Sequence, residues 1–177
     1  MTGSTRQHWI FGYGSLMWNP GFPFTHRERA VIHGWHRSLC MYSYMYRGTP
    51  DRPGLVLGLD SGGHCQGVAF SIAPQDWDET LAYLRAREQV TNMYREMLRP
   101  VRLPGGGTAD ALFYAVDRTH IQYAGRLSLE QQLHHVRQGH GQSGSCRDYV
   151  ISTLEHLREV GIRDGPLEKL GAALHAA

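Results

Sequence analysis

A glutamate at the end of an amphipathic helix and a glycine-bracketed tyrosine after an apolar strand are the residues of this sequence best suited to chemistry. Pro74 fits a first helical position, and Asp76, Asp78 and Glu79 favour the positive end of a helix dipole, so the pattern predicts a helix from there to about Glu88. Its apolar stripe is Trp77, Leu81 and Leu84, and the next step of four lands on Glu88. A carboxylate there meets the negative end of the dipole and a core-facing environment, and both raise its pKa. A glutamate tuned upward exchanges protons near neutral pH, as a general base that later acts as an acid must do. The alternative is a salt bridge to a nearby arginine, Arg85 or Arg47.

The second feature is the run from Trp9 to Gly21. His8 to Phe11 reads as a short buried strand, and Gly12 and Gly14 on either side of Tyr13 let the backbone approach a ligand closely. Successive peptide N–H groups in such a turn can face one anion. A dinucleotide fingerprint would need a third glycine where Met17 stands and then a helix, which Asn19-Pro20-Gly21 breaks, and no Gly-Lys-Ser/Thr follows. The plain alternative is a strand and turn that merely pack. No Gly-x-Ser-x-Gly elbow occurs, and the cysteines carry no nucleophile signature.

These two features need a framework. Phe22 to Arg27 reads as loop, and Ala30 to Tyr46 is sheet material, one or two strands interrupted near Gly34. Arg47 to Gly54 is a rigid connector. Leu55 to Leu59 and Cys65 to Ile72, separated by Asp60-Ser61-Gly62-Gly63-His64, read as a hairpin; Arg95 to Leu103 and Ala109 to Val116 read as a second. Ser128 with Gln131 makes a capping box opening a helix to about Gln138. Ser145 with Asp148 opens another, running to about Val160 with Gly161 as its stop and Val150, Leu154 and Leu157 as its buried stripe. Strands and helices mix without regular alternation, which predicts an α+β fold rather than a doubly wound sheet. We expect one domain over 1–177, with 1–7 a flexible N-terminus.

Composition narrows the function classes. Hydrophobic residues make up 41% and charged residues 19% of the 177, a globular balance, and 21 glycines imply many turns and close backbone approaches. A net charge of +2 spread along the chain provides no basic block for a phosphate backbone, so nucleic acid is not expected as a partner. Neither a signal region nor an apolar run of membrane-spanning length is present, which predicts a cytoplasmic protein without a membrane partner. Cys40, Cys65 and Cys146 are widely spaced and suggest neither a disulfide framework nor a zinc site. His134, His135 and His140 lie close in sequence, but adjacent helix positions diverge and Gly139 ends the helix before His140, so no metal site is expected.

Several separated motifs, in order, resemble the ChaC-like γ-glutamylcyclotransferases. They are Phe11 to Phe22, Tyr46-Arg47-Gly48-Thr49-Pro50 with Pro53-Gly54, Gly67-Val68-Ala69-Phe70, and Leu84-Arg85-Ala86-Arg87-Glu88; Gly125, Gly144 and Asp148-Tyr149 extend the likeness toward the C-terminus. The resemblance implies a mixed β-barrel with flanking helices, no cofactor, and degradation of glutathione to 5-oxoproline and cysteinylglycine. By motif, Gly12, Tyr13, Gly14, Ser15, Leu16 and Met17 would bind the γ-glutamyl moiety, with backbone amides on its α-carboxylate, and Glu88 would be the catalytic acid/base. Arg47 becomes a pocket member.

The chain also departs from the family pattern. Leu39 to Tyr46 reads LCMYSYMY where a Trp-Gln-Gly-Ser type segment is expected, which leaves another γ-glutamyl amine or dipeptide open as substrate. Asn92-Met93-Tyr94 stands in place of a Gly-Gly-Tyr type stretch, with Tyr94 as the counterpart tyrosine. Tyr149 lies off the Val150 stripe, either reaching substrate or on the surface. A noncatalytic carboxylate-binding module of the same fold is the competing class. No motif specifies an oligomeric state.

Overall fold

The computed structural model describes residues 6–176 and divides by internal packing into two compact units, 1–37 with 59–117 and 38–58 with 118–177. Residues 1–5, most of the expected flexible N-terminus, lie outside the described residues.

The strands form a closed five-stranded barrel of order β1-β3-β2-β4-β5, with β1 His8–Gly12, β2 His26–Ser43, β3 Gly54–Ile72, β4 Tyr94–Arg102 and β5 Thr108–Val116; all of it falls in the first unit except 38–43 of β2 and 54–58 of β3. The sheet is mixed: β1 runs antiparallel to β3, from His8 opposite Ile72 to Gly12 opposite Val68, and parallel to β5 through Trp9 and Ile10. The hairpin β4–β5 is as the sequence predicts, Tyr94 opposite Val116 and Arg102 opposite Thr108. Closure removes free sheet edges. The core sets Phe11 and Phe113 among the small side chains of Ala30, Ala69, Ala111 and Ala115, so that large rings fit a narrow interior. Trp35 meets Phe113 edge to face, with centroids 5.1 Å apart.

Two strand expectations are corrected. Gly34 does not interrupt β2, and Asp60 to His64 is not a hairpin turn, because β3 runs unbroken from Gly54 to Ile72. Gly34, Gly62 and Gly63 do take positive φ, of 91°, 105° and 69°, but a left-handed glycine within a strand bends it without reversing it. The His36 ring nitrogen lies 2.9 Å from the Gly62 carbonyl at this bend.

A one-turn 3₁₀ helix, Pro74–Asp76, leads into α1 Trp77–Glu88, which ends where the sequence predicts. The second unit gathers α2 Leu129–Gln138, α3 Cys146–Glu159 and α4 Gly165–His175, with a two-residue ribbon of β6 His140–Gly141 and β7 Gly144–Ser145. The Ser128–Gln131 capping box and the Ser145 cap are both formed. The sequence reading did not include α4. Its Asp164 side chain accepts from the Leu167 N–H and Pro166 sits in the first turn, a start signal present in the chain. Among the described residues, no helix is long and apolar enough to cross a membrane.

Candidate active site

The glycine-bracketed segment ends β1 and enters a 3₁₀ turn, Ser15–Met17, rather than a helix. The Met17 N–H donates to the Gly14 carbonyl at 2.9 Å and the Asn19 N–H to the Ser15 carbonyl at 2.8 Å. A turn so closed leaves the amides at its N-terminal side outside its own hydrogen-bond ladder, the arrangement that presents N–H groups to an anion. Gly14 has φ −136° and ψ −131°, outside the common helical and extended regions. Tyr13 is half-buried and packs its ring against the barrel core, and Leu16 and Met17 are buried; only Ser15 of the segment is exposed. The side chains of Tyr13, Leu16 and Met17 anchor the turn.

Arg37 holds the entry to this turn, whose backbone curves into a cradle. This arginine is only 9% exposed, and its Nε donates to the Tyr13 carbonyl at 2.6 Å while Nη2 donates to the Gln66 carbonyl at 2.7 Å. One guanidinium thus ties the β1 exit to β3. The sequence reading passed over it, since an arginine in a strand pattern is usually solvated; its place between apolar neighbours Trp35 and Leu39 was the available signal. Arg37→Met leaves both carbonyls without this donor, and is expected to cost about 2 kcal/mol. Urea unfolding would measure the loss, and amide exchange over Gly12 to Met17 should quicken more than exchange in α3.

Glu88 sits in the last turn of α1, four residues after the fully buried Leu84 and eight after the fully buried Thr80. The core-facing row is therefore Thr80, Leu84, Glu88; Trp77 and Leu81 are half-buried beside it. The Glu88 side chain is 17% exposed, and its pKa is raised because burial disfavours the charge, partly offset by Arg87. The arginine beside it is neither Arg85 nor Arg47, the partners its position first suggested. Arg87 approaches Oε1 with Nε at 3.5 Å. Arg85 instead makes two hydrogen bonds to Glu96, at 3.0 and 2.9 Å.

The same arginine joins Glu88 to the cradle. Arg87 Nη2 donates to the Ser15 hydroxyl at 3.0 Å and Nη1 to the Asn19 carbonyl at 2.7 Å. The carboxylate and the turn are thus joined through a single guanidinium.

A second carboxylate nearby has the opposite character. Glu96 of β4 is held below the usual carboxylate range by the Arg85 hydrogen bonds, and Tyr114, buried on β5, donates its hydroxyl to Glu96 at 3.0 Å. Burial and the Glu96 charge push the Tyr114 pKa up, so it stays a donor. Burial raises the Glu88 pKa while the Arg85 and Tyr114 hydrogen bonds lower that of Glu96, so the two carboxylates sit in opposite environments.

Tyr94 opens β4, half-buried, just beyond Asn92. Asn92 has φ +55°, a left-handed conformation that asparagine tolerates and that suits a position where glycine is expected.

Arg47 and Tyr149 belong to the second unit, where they come together: the guanidinium lies over the Tyr149 ring, 5.4 Å from its centroid, and donates to the Ser145 carbonyl at 3.1 Å. Tyr149 is not a surface tyrosine, for its hydroxyl accepts from the Leu57 N–H at 3.0 Å. Gly54 and Gly139 both press on the Arg47 carbonyl, with no room for a Cβ at either. Cys146, also of this unit, exchanges hydrogen bonds with the Leu55 backbone, and all three cysteines are buried and outside any disulfide. His135 faces the Pro53 carbonyl at 3.2 Å, and among the described residues no group of three or more His, Cys, Asp or Glu is disposed to hold a metal.

A family profile described as "ChaC-like protein" matches residues 8–177. The chain is similar to the glutathione-specific gamma-glutamylcyclotransferase of Escherichia coli K12, 33% identical over 162 residues that cover 92% of this chain and 70% of that protein. It is also similar to gamma-glutamylcyclotransferase 2-3 of Arabidopsis thaliana, 31% identical over 164 residues, covering 88% of this chain and 82% of that one. Among solved structures, a yeast γ-glutamyl cyclotransferase specific to glutathione shares the fold with a TM-score of 0.85 at 23% identity, covering 97% of this chain and 96% of that chain.

Proposed function

The chain belongs to the ChaC-like family, and from that premise we propose that it degrades glutathione as a γ-glutamylcyclotransferase, a lyase releasing 5-oxoproline and cysteinylglycine. The observation that carries the reading is Glu88, mostly buried with its pKa raised by that burial, and joined through one guanidinium to a turn whose backbone amides suit a carboxylate. The profile match runs through both compact units, which supports treating 1–177 as one domain.

In this mechanism the amides of the Gly12 to Met17 turn hold the substrate α-carboxylate, and Glu88 takes a proton from the α-amine. The amine nitrogen attacks the γ-carbonyl carbon of the same molecule, forming the lactam C–N bond as the bond to the cysteinyl nitrogen breaks. Glu88 returns its proton to that leaving amine, so no water is consumed. Since nucleophile and electrophile share one molecule, the protein has to impose the folded conformer and carry one proton. Tyr94 is carried as a substrate contact by motif; Arg47 and Tyr149 are marked by the family motif alone. Three buried thiols outside any disulfide suit a reducing cytoplasm.

The test is to incubate purified protein with glutathione and with a panel of γ-glutamyl dipeptides, following 5-oxoproline by mass spectrometry. Turnover of glutathione ahead of the panel is expected. The segment Leu39 to Tyr46, where Tyr42 and Tyr44 stack with centroids 6.3 Å apart, is the reason for the panel. A dipeptide turned over faster would move the substrate but keep the chemistry, and ligand binding without product anywhere would leave the binding-module reading.

A further inference from the structure

We propose that Arg87 is a positioning residue, whose guanidinium registers the helix carrying Glu88 against the Ser15–Gly21 segment and keeps the Glu88 carboxylate ready to accept a proton. Its catalytic consequence rests on the cyclotransferase reading above; its geometric part does not.

Arg87 uses all three nitrogens at once. Nη1 donates to the Asn19 carbonyl at 2.7 Å, the Pro20 carbonyl at 3.3 Å and the Tyr83 hydroxyl at 3.1 Å; Nη2 donates to the Ser15 hydroxyl at 3.0 Å; and Nε faces Glu88 Oε1 at 3.5 Å. These partners bracket the cradle's exit, from the first residue of the 3₁₀ turn to Pro20, three residues past its end. Tyr83, one helical turn before Arg87, strengthens the clamp. Gly21, with φ +73°, lies so close under the Tyr83 hydroxyl that a Cβ has no room there. Two α1 residues four apart therefore grip one loop, and the next residue in the chain is the proton carrier.

The planar fork matters as much as the charge. A lysine ammonium supplies the charge but cannot reach carbonyl, hydroxyl and carboxylate in fixed directions together. The groups facing Glu88 are Arg87 on its own helix and, from β5, Tyr114, whose hydroxyl is engaged by Glu96 of β4 and through it by Arg85. Of these, Arg87 is the cation beside Glu88 that no other carboxylate engages. Removing it leaves burial unopposed, so the carboxylate should protonate at higher pH.

The experiment compares wild type, Arg87→Met and Arg87→Lys with three readouts. The first is kcat and KM for glutathione across pH. The second is titration of the Glu88 side chain by carbon NMR, its resonance assigned by its loss in Glu88→Gln. The third is amide exchange of Ser15 to Asn19. Arg87→Met should lose about 10- to 100-fold in kcat/KM, shift the acid limb and the Glu88 titration to higher pH, and speed exchange in the turn. Arg87→Lys should return the titration toward wild type while KM and exchange stay raised. The proposal is overturned if Glu88 titrates alike in wild type and Arg87→Met, or if lysine restores everything. The NMR and exchange readouts need no turnover. Inert wild-type protein would therefore reject the cyclotransferase reading alone, while unchanged titration in active protein would reject only the role of Arg87.

Discussion

Glu88→Gln should lower 5-oxoproline formation from glutathione by about 100- to 10,000-fold, the usual range for loss of a general acid/base, with little change in KM. Glutamine keeps the shape and the hydrogen-bonding capacity but can neither take the α-amine proton nor return it. The pH dependence follows from the same burial. Glu88 must be ionised to act, and burial raises its pKa, so kcat/KM should fall as pH drops through a value above the ordinary carboxylate range. The stability consequence has a definite sign. A carboxyl whose folded pKa is raised stabilises the fold through its protonated form, fully below the unfolded value and progressively less as pH rises through the folded value. Glutamine is neutral throughout, so the variant should melt with wild type in acid and no lower, or higher, at neutral pH. A glutamate kept for a structural ion pair with Arg87 would behave oppositely, with Glu88→Gln destabilising at neutral pH and sparing turnover; that pair of outcomes would remove Glu88 from the mechanism.

Glu88 was legible in the sequence because the helical period is rigid: a step of four from Leu84 can only land on the same face. What surrounds it was not legible. The partner arginine follows from which side chains of the last turn bend over a loop brought back from 68 residues away, and Arg87 reaches Asn19 across that separation. The same limit explains Arg37, whose two acceptors exist only once β1 and β3 are paired. β3 failed for a different reason. Two adjacent glycines are a strong local turn signal, but barrel closure needs long strands that bend, and here Gly62 and Gly63 bend one. The connector that reverses the chain is the Arg47 to Gly54 segment, whose Gly54 lies too close to the Arg47 carbonyl for any side chain. The Ser128–Gln131 capping box and the Ser145 cap were legible because their geometry spans four residues and asks nothing of the rest of the fold; at Ser145 only the side-chain cap forms, without the reciprocal bond of a box.

Gly67→Ala tests the other half of the site, the pairing that shapes the cradle. Gly67 is not a turn glycine; it lies within β3, one residue before Val68, which pairs with Gly12. An added Cβ would drive into the Gly12 carbonyl oxygen and come to 2.6 Å from the Phe11 ring. Neither can give way. The ring is 1% exposed in the barrel core, and the carbonyl belongs to the strand end that opens the cradle. Next to it, the Gln66 carbonyl is held by Arg37, so β3 cannot back away without breaking that bond as well. Overpacking between two backbones is relieved only by separating them, and we expect a loss of about 3 kcal/mol. The protein that remains folded should turn over glutathione about 100-fold less efficiently, since a shift of about an ångström at the substrate's carboxylate site is enough to misplace the reacting amine. Gly107→Ala is the matched control, because Gly107 has φ −72° and nothing within 4 Å of an added Cβ, so it should melt at or slightly above wild type with unchanged turnover. If the two alanine variants melted alike and shared the wild-type KM, the Gly12–Val68 pairing would not be what sets the cradle, and the turn would have to be held by Arg37 and Arg87 alone.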